Sequence, residues 1–349
     1  MKVLLTGHRG YIGSVLTPML LERGHAVTGL DSDLFRGCTF AGKLAETPTI
    51  EKDIRDVVID DVAGFDAVIH LAGLSNDPLG DYQPKLTEEI NFKASVHLAR
   101  LAKRAGVSRF LYASSCSNYG AAGADFLDEA APFNPVTPYG ISKVNVERAV
   151  APMADENFSP TFLRASTAYG LSPRIRFDLV VNNLTAWAFT TQQVYLKSDG
   201  SPWRPIVHVE DIALAYIAVL EADIELVHNQ AFNVGQTTEN YQIREIANLV
   251  QAIVPNCRIE YAPDAGPDTR CYRVDCNYIG RRVHAFKPQW TVRRGIEQLY
   301  ESYSSVGLTL DDFEGERFKR IAHIKKLVRD GEIDQDLRRI PARTEAVFA

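Results

Sequence analysis

The sequence predicts an α/β protein, a doubly wound parallel sheet with a smaller α/β lobe interleaved in it. Three observations carry the prediction. Short buried runs alternate with amphipathic helix-length segments through the first third of the chain, a glycine-rich turn follows the first run, and the texture turns proline-rich and polar after Leu171. Composition bounds the function. The 349 residues are 46% hydrophobic and 23% charged, with 38 Lys+Arg against 44 Asp+Glu and a net charge of -6. That apolar fraction excludes a disordered chain, and the lack of a basic excess argues against a nucleic-acid partner. No window holds the ~18 uninterrupted apolar residues of a bilayer span, so no membrane partner is expected.

The elements follow in order. Lys2–Leu5, His25–Leu30, Ala67–Leu71 and Arg109–Ala113 read as buried strands, separated by helices such as Ile12–Glu22 and Asn91–Ala105. In the second helix Phe92, Val96, Ala99 and Ala102 recur at three- and four-residue steps, giving one apolar face. Strand–helix–strand repetition of this kind implies a parallel sheet covered on both sides. Further on, Phe177–Phe189, Ile212–Leu220 and Ile243–Val254 read as helices, Ala231–Val234 as a last sheet strand and Cys257–Tyr261 as a strand. Ile321, Ile324 and Val328 share a face in Phe318–Val328, which reads as a docking helix. The expected division is 1–171 plus about 210–236 for a nucleotide-binding domain, about 172–209 plus 237–330 for a substrate lobe, and 331–349 as a tail.

The N-terminus enters a strand at once, without the apolar core and cleavage site of a signal peptide. The five cysteines are odd in number and form no C-x-x-C pair, and Cys271 and Cys276 are too isolated to build a metal cage. A reduced, cytoplasmic protein with no metal is expected.

Gly7-His-Arg-Gly10-Tyr-Ile-Gly13 joins the first strand to the first helix. Glycines there permit a tight turn and close approach to a pyrophosphate, and the helix N-terminus adds donors and a favourable dipole. Gly7, Arg9, Gly10, Tyr11, Ile12 and Gly13 are therefore the expected cofactor contacts of this loop. Asp31, at the end of the second strand, suits the ribose hydroxyls of NAD and would repel the extra phosphate of NADP. Arg9, with Arg36, points the other way, so NAD is expected with NADP as the alternative. Asp53-Ile54 is placed to meet adenine, and Leu71-Ala72-Gly73 ends a strand where small residues admit a cofactor.

Tyr139 and Lys143 lie four apart, hence on one helical face. A tyrosine is a poor base at its free pKa of ~10, and a neighbouring ammonium lowers it. Ser114-Ser115-Cys116-Ser117-Asn118-Tyr119-Gly120 follows the Arg109–Ala113 strand, and a hydroxyl at Ser115 would bind the oxygen whose proton Tyr139 moves.

Together the glycine loop, Asp31, His70-Leu-Ala-Gly73, Ser114–Gly120 and the Tyr139/Lys143 pair resemble the extended short-chain dehydrogenase/reductase family, in its nucleotide-sugar epimerase/dehydratase branch. The resemblance runs to about Leu299. It implies a Rossmann-type fold, Tyr139 as acid and base at a sugar hydroxyl, Lys143 on the nicotinamide ribose, and Ser115 as the catalytic hydroxyl with Ser117 beside it. Hydride transfer would take place at a sugar carbon, commonly C4. Gly200-Ser-Pro-Trp-Arg204-Pro-Ile-Val-His208-Val-Glu-Asp211 resembles the family's substrate segment, in which Arg204 would clamp the nucleotide diphosphate. Arg270, in Gly266-Pro-Asp268-Thr-Arg270, resembles a second diphosphate contact. Asn182 and Asn183 stand where an amide binds substrate, and Tyr119 is expected at the same ligand. His208 and Asp211 read as a packed histidine and a helix N-cap. The resemblance also implies a homodimer through Asn91–Ala105 and Tyr139–Ala154.

Dehydratases of this branch carry an acid pair after the catalytic hydroxyl, whereas this chain has Cys116 and Ser117. Neither protonates a leaving hydroxyl near neutral pH. Cys116 reads as a small buried residue. An NAD-dependent nucleotide-sugar epimerase is thus expected. The alternatives are an NADPH-dependent keto-sugar reductase, a 4,6-dehydratase or, in another class, a non-catalytic NAD(P)-binding regulator.

Overall fold

The computed structural model describes residues 1–75, 83–266 and 271–340. Its main sheet has seven parallel strands, and β1 (Lys2–Thr6), β2 (Ala26–Asp31), β3 (Thr49–Glu51), β4 (Ala67–His70) and β5 (Arg109–Ser115) form one side of it. The order runs β3-β2-β1-β4-β5 and continues through Ser159–Ala165 to Ala231–Val234. The direction of winding reverses between β1 and β4, and ligands of open α/β sheets bind at such a reversal.

Side chains alternate across each strand, so one strand feeds two cores. Val3, Leu5, Ile69 and Leu111 point to one face, where they meet Leu16 and Leu20 of α1 (Gly13–Glu22) and the helix Val209–Glu221. Leu4, Val68, Phe110 and Tyr112 point to the other, against the helices Ala94–Arg104 and Pro138–Val150. Each fully buried aliphatic side chain contributes about 1.5–3 kcal/mol, so truncating Leu5 or Phe110 to Ala would cost about 2–5 kcal/mol.

A third core lies apart from the two that flank the main sheet. There the helices Val180–Thr191, Ile243–Ile253 and Val292–Val306 bury Val181, Leu184, Ile246, Val250, Ile296 and Leu299. Gln193–Ser198 pairs in parallel with Arg258–Gly266 beside them.

The docking helix is Arg320–Arg329, with Ile324 fully buried and Ile321 and Val328 packed around it. It docks in the cluster that holds Val96 and Phe110, and Leu337 and Ile333 follow it there. Ile279, Val283 and Phe286 likewise join the first-lobe cluster of Phe232 and Val234. Two segments that the sequence groups with the second lobe and the tail thus pack on the sheet. No helix among the described residues is long and apolar enough to cross a membrane. All five cysteines are free.

Candidate active site

The glycine turn is shaped by contacts that leave no room for a side chain. Gly7 has φ +74°, and a Cβ there would lie 2.7 Å from the Ala72 amide nitrogen. A Cβ on Gly13 would lie 2.2 Å from the Gly7 carbonyl oxygen, so this turn closes on itself only with glycine at both places. The Gly10 amide donates to Gly7 O at 2.9 Å and the Ser14 amide to Gly10 O at 3.0 Å, which starts α1 out of the turn. The first-turn amides of a helix lack acceptors within it and face the space in front of it.

That space is a cavity of about 1130 Å³ at the C-terminal ends of β1, β2, β4 and β5. Gly7, Arg9, Gly10, Tyr11, Ile12, Gly13, Asp31, Asp53, Ile54, Leu71, Ala72 and Gly73 all line it, as do Ser115, Ser117, Tyr139, Lys143, Asn183 and Arg204. The Asp31 carboxylate accepts from the backbone amides of Asp33 at 2.8 Å and Arg9 at 3.0 Å, while its burial pushes its pKa up. Asp53 also feels burial, yet the Arg55 guanidinium at 2.6 Å holds it below the usual carboxylate range. Both arginines that favour NADP are occupied. Arg9 pairs with Asp33 at 2.9 Å, and Arg36 pairs with Glu51 at 2.6 Å and Asp33 at 3.3 Å.

Thr137 caps the helix Pro138–Val150 by accepting from the Gly140 amide at 3.1 Å, and Pro138 sets its first turn. The helix packs tightly on the serine turn, since a Cβ on Gly140 would meet Ser117 O at 3.1 Å. In that turn Ser117 donates its hydroxyl to Ser115 Oγ at 2.7 Å and its amide to the same oxygen at 3.1 Å. Lys143 Nζ donates to Ala113 O at 2.6 Å and lies 5.4 Å from the Tyr139 ring centre and 4.7 Å from that of Tyr112. Burial drives the Lys143 pKa down to about 7, with Glu147 opposing. Glu147 braces the assembly: it takes Arg164 Nη2 at 2.6 Å and Asn118 Nδ2 at 3.0 Å, and the Ser114 hydroxyl donates to it. The cavity therefore presents two hydroxyls, a phenol and a lysine on rigid backbone, a set suited to moving one proton at an alcohol.

Two expected ligand contacts are placed otherwise, and a third falls outside the described residues. Tyr119 is fully buried and donates to Asn233 Oδ1 at 2.8 Å, so it braces the core beneath the serine turn and faces no ligand. Asn182 is also fully buried, with its amide spent on Gly170 N, Gly170 O and Arg176 O. Its neighbour Asn183 alone reaches the cavity, donating to Phe177 O at 2.8 Å. Arg270 lies outside the described residues.

Cys116 points away from the cavity, its thiol donating to Arg164 O at 3.1 Å and its pKa raised by burial. His208 stacks on Trp290 at 3.9 Å, and burial lowers its pKa to about 4. His208 itself caps the helix Val209–Glu221 through the Glu210 amide at 3.2 Å. Asp211, expected as the cap, instead accepts from the amides of Gln289 and Trp290. Among the described residues no cluster of metal ligands occurs.

Sequence reading missed Arg176, Asp178 and Ser75. Arg176 donates to Asp178 at 2.5 Å and to Ser75 Oγ at 3.1 Å within the cavity. The signal was the alternation of charged and apolar residues in Arg174-Ile-Arg176-Phe-Asp178. Phe318 and Arg320 also line the cavity, and nothing in their local sequence marked them.

Residues 3–235, well over half of the chain, match the NAD dependent epimerase/dehydratase family. A UDP-glucose 4-epimerase of Neisseria meningitidis serogroup C is 28% identical over 333 residues, covering 86% of this chain and 95% of its own. UDP-glucuronic acid decarboxylase 1 of Arabidopsis thaliana is 25% identical over 325 residues, covering 90% of this chain and 72% of its own. Among solved structures, UDP-glucose 4-epimerase of Thermotoga maritima superposes with a TM-score of 0.76 at 22% identity, covering 88% of this chain and 100% of that one. That likeness establishes the fold.

Proposed function

The chain belongs to the NAD-dependent epimerase/dehydratase family, and from that premise we propose that it is an NAD-dependent nucleotide-sugar epimerase acting at C4 of the sugar. The observation that carries the reading is the convergence of Tyr139, Lys143, Ser115 and Ser117 in one cavity with the glycine turn. Relatives named as UDP-sugar enzymes across most of the chain support the substrate class.

The cavity fits NAD by its glycine cradle and by the carboxylate of Asp31, which faces it with Arg9 and Arg36 held by other acids. The helix α1 N-terminus and the backbone of the turn would hold the pyrophosphate, Asp31 the adenosine ribose, and Lys143 the nicotinamide ribose. When bound, NAD supplies the acceptor and donor of the sugar hydride.

The chain's own part is proton handling and positioning. Ser115, its lone pairs oriented by the Ser117 hydroxyl and amide, binds the reacting sugar oxygen. Tyr139 takes the hydroxyl proton as the carbinol becomes a carbonyl and returns it when the carbinol re-forms. Lys143 favours the ionised phenol by its charge. Arg204 and Asn183 hold the nucleotide portion of the substrate from the second lobe. Dehydration is disfavoured because the turn offers no acid: Cys116 is buried with its thiol on a carbonyl, and Ser117 is a hydroxyl. The lobe division, a cytoplasmic location and a homodimer through the helices Ala94–Arg104 and Pro138–Val150 belong to the same proposal. The exposed Ile141 lies on the second of these helices, and the exposed Val136 just precedes it.

The test is incubation with UDP-, GDP-, CDP- and dTDP-sugars followed by product separation. An epimeric sugar nucleotide is expected from at least one. Turnover only with added NADPH would favour the keto-sugar reductase, and bound NAD with no turnover of any substrate would favour the regulator.

A further inference from the structure

The family match ends at residue 235, yet the cavity is completed by residues far beyond it. Phe318, Ile321 and Leu337 line it beside Leu34, Phe35 and Asp33 of the loop after β2. The C-terminal segment that carries them is clamped to the strand ends by polar contacts. Arg317 donates to Gly37 O at 3.2 Å and Thr39 O at 3.0 Å, and Arg339 donates to Ser32 O at 3.2 Å and Asp33 O at 2.6 Å. Arg338 pairs with Asp56 at 2.5 Å, and Arg55 reaches back to Asp336 O at 2.9 Å. Ile324 and Leu327 bury the helix between these clamps in the first-lobe core. The segment is thereby held at the cavity mouth.

Arg320, the first residue of that helix, differs from the other arginines nearby. Its guanidinium carbon sits 3.9 Å over the Phe35 ring, its Nε is buried without a partner, and no described residue accepts a hydrogen bond from it. Around it stand more cations than free acids. Asp178 is engaged by Arg176 at 2.5 Å, and Asp33 is shared by Arg9, Arg36 and Arg174. A guanidinium whose Nε is buried unpaired, beside acids already engaged by other arginines, is left short of counter-charge, and an anion in the cavity it lines would supply it. Burial and the neighbouring Arg176 lower its pKa to about 10 against the opposing pull of Asp178, which leaves it charged at neutral pH.

We propose that Arg320, brought to the cavity by the C-terminal segment, binds a diphosphate of the bound nucleotides. The planar fork suits phosphate oxygens, and the Phe35 ring fixes its plane. Two ligands of the site carry this chemistry, the dinucleotide cofactor and the nucleotide sugar, so the inference rests on the function proposed above. It makes the segment after residue 310 part of the binding site in addition to a packing element.

The test measures affinities of nucleotide-stripped protein for ADP-ribose and for UDP by calorimetry, in wild type, Arg320→Gln and Arg320→Lys. Arg320→Gln is expected to bind one probe at least tenfold more weakly, with Arg320→Lys intermediate and the melting temperatures of all three alike. Loss confined to ADP-ribose places the contact on the cofactor, and loss confined to UDP places it on the substrate. Affinities within twofold of wild type for both probes in both variants would overturn the inference and leave the functional reading intact. Wild type that binds neither probe would instead overturn that reading, and the inference with it. If Arg320→Gln fails to fold, the charge-preserving Arg320→Lys still decides, since loss of the fork alone should weaken one probe severalfold.

Discussion

Replacing Lys143 by Met tests the electrostatics of the site without any substrate. In the folded protein burial brings the lysine pKa to about 7, whereas in the unfolded chain it is about 10.4. The unfolded state therefore binds the proton more readily between those values, and stability rises with pH across that interval. From pH 7 to 9 the folded lysine goes from half to nearly fully neutral while the unfolded one stays charged. With 1.36 kcal/mol per pKa unit, this adds about 2 kcal/mol to the stability of the cofactor-free protein. Lys143→Met removes the group, so it should lose this increment whatever its cost from leaving Ala113 O without its 2.6 Å donor. The assay is urea unfolding of both proteins at pH 7 and pH 9. Wild type should gain about 2 kcal/mol more than the variant over that range. Equal gains in the two proteins would refute the claim that Lys143 is held desolvated beside Tyr139.

Tyr139→Phe should lower turnover by about 10²–10⁴-fold, the usual contribution of a positioned acid–base group, with NAD affinity unchanged in a direct titration. Gly13→Ala should abolish NAD binding, because its Cβ would stand 2.2 Å from the Gly7 carbonyl. Gly280→Ala, which meets nothing within 4 Å at an ordinary backbone conformation, should retain binding and serves as control. Glu147→Gln leaves Arg164 buried without its counter-charge and should cost about 3–5 kcal/mol in urea unfolding.

The first lobe was legible because its physics is local. Alternating strand patterns such as Val3/Leu4/Leu5 feed two cores, and the turn glycines are forced by contacts within a few residues and with the next strand end. The helical spacing of Tyr139 and Lys143 placed both in the cavity for the same reason. What escaped is set by tertiary packing. Asn182 and Asn183 are adjacent on one helix, and only the packing of Tyr303 and Gly170 decides which faces the ligand. Tyr119 shares a turn with Ser117 but is drawn inward by Asn233 and Arg164 from distant strands. Arg320 arrives at the site from the far end of the chain, where its helix reads from sequence as packing alone.

The central claim is that a sugar C4 carbinol is oxidised and re-formed within this cavity by a hydride that never leaves the protein. Its most direct test is incubation of the holoenzyme with a UDP-hexose deuterated at C4, in ordinary water, with the product examined by mass spectrometry and NMR. The account predicts a product inverted at C4 that keeps the deuterium at that carbon. Inversion with the label lost to solvent, or a product changed at another carbon with C4 untouched, would contradict it.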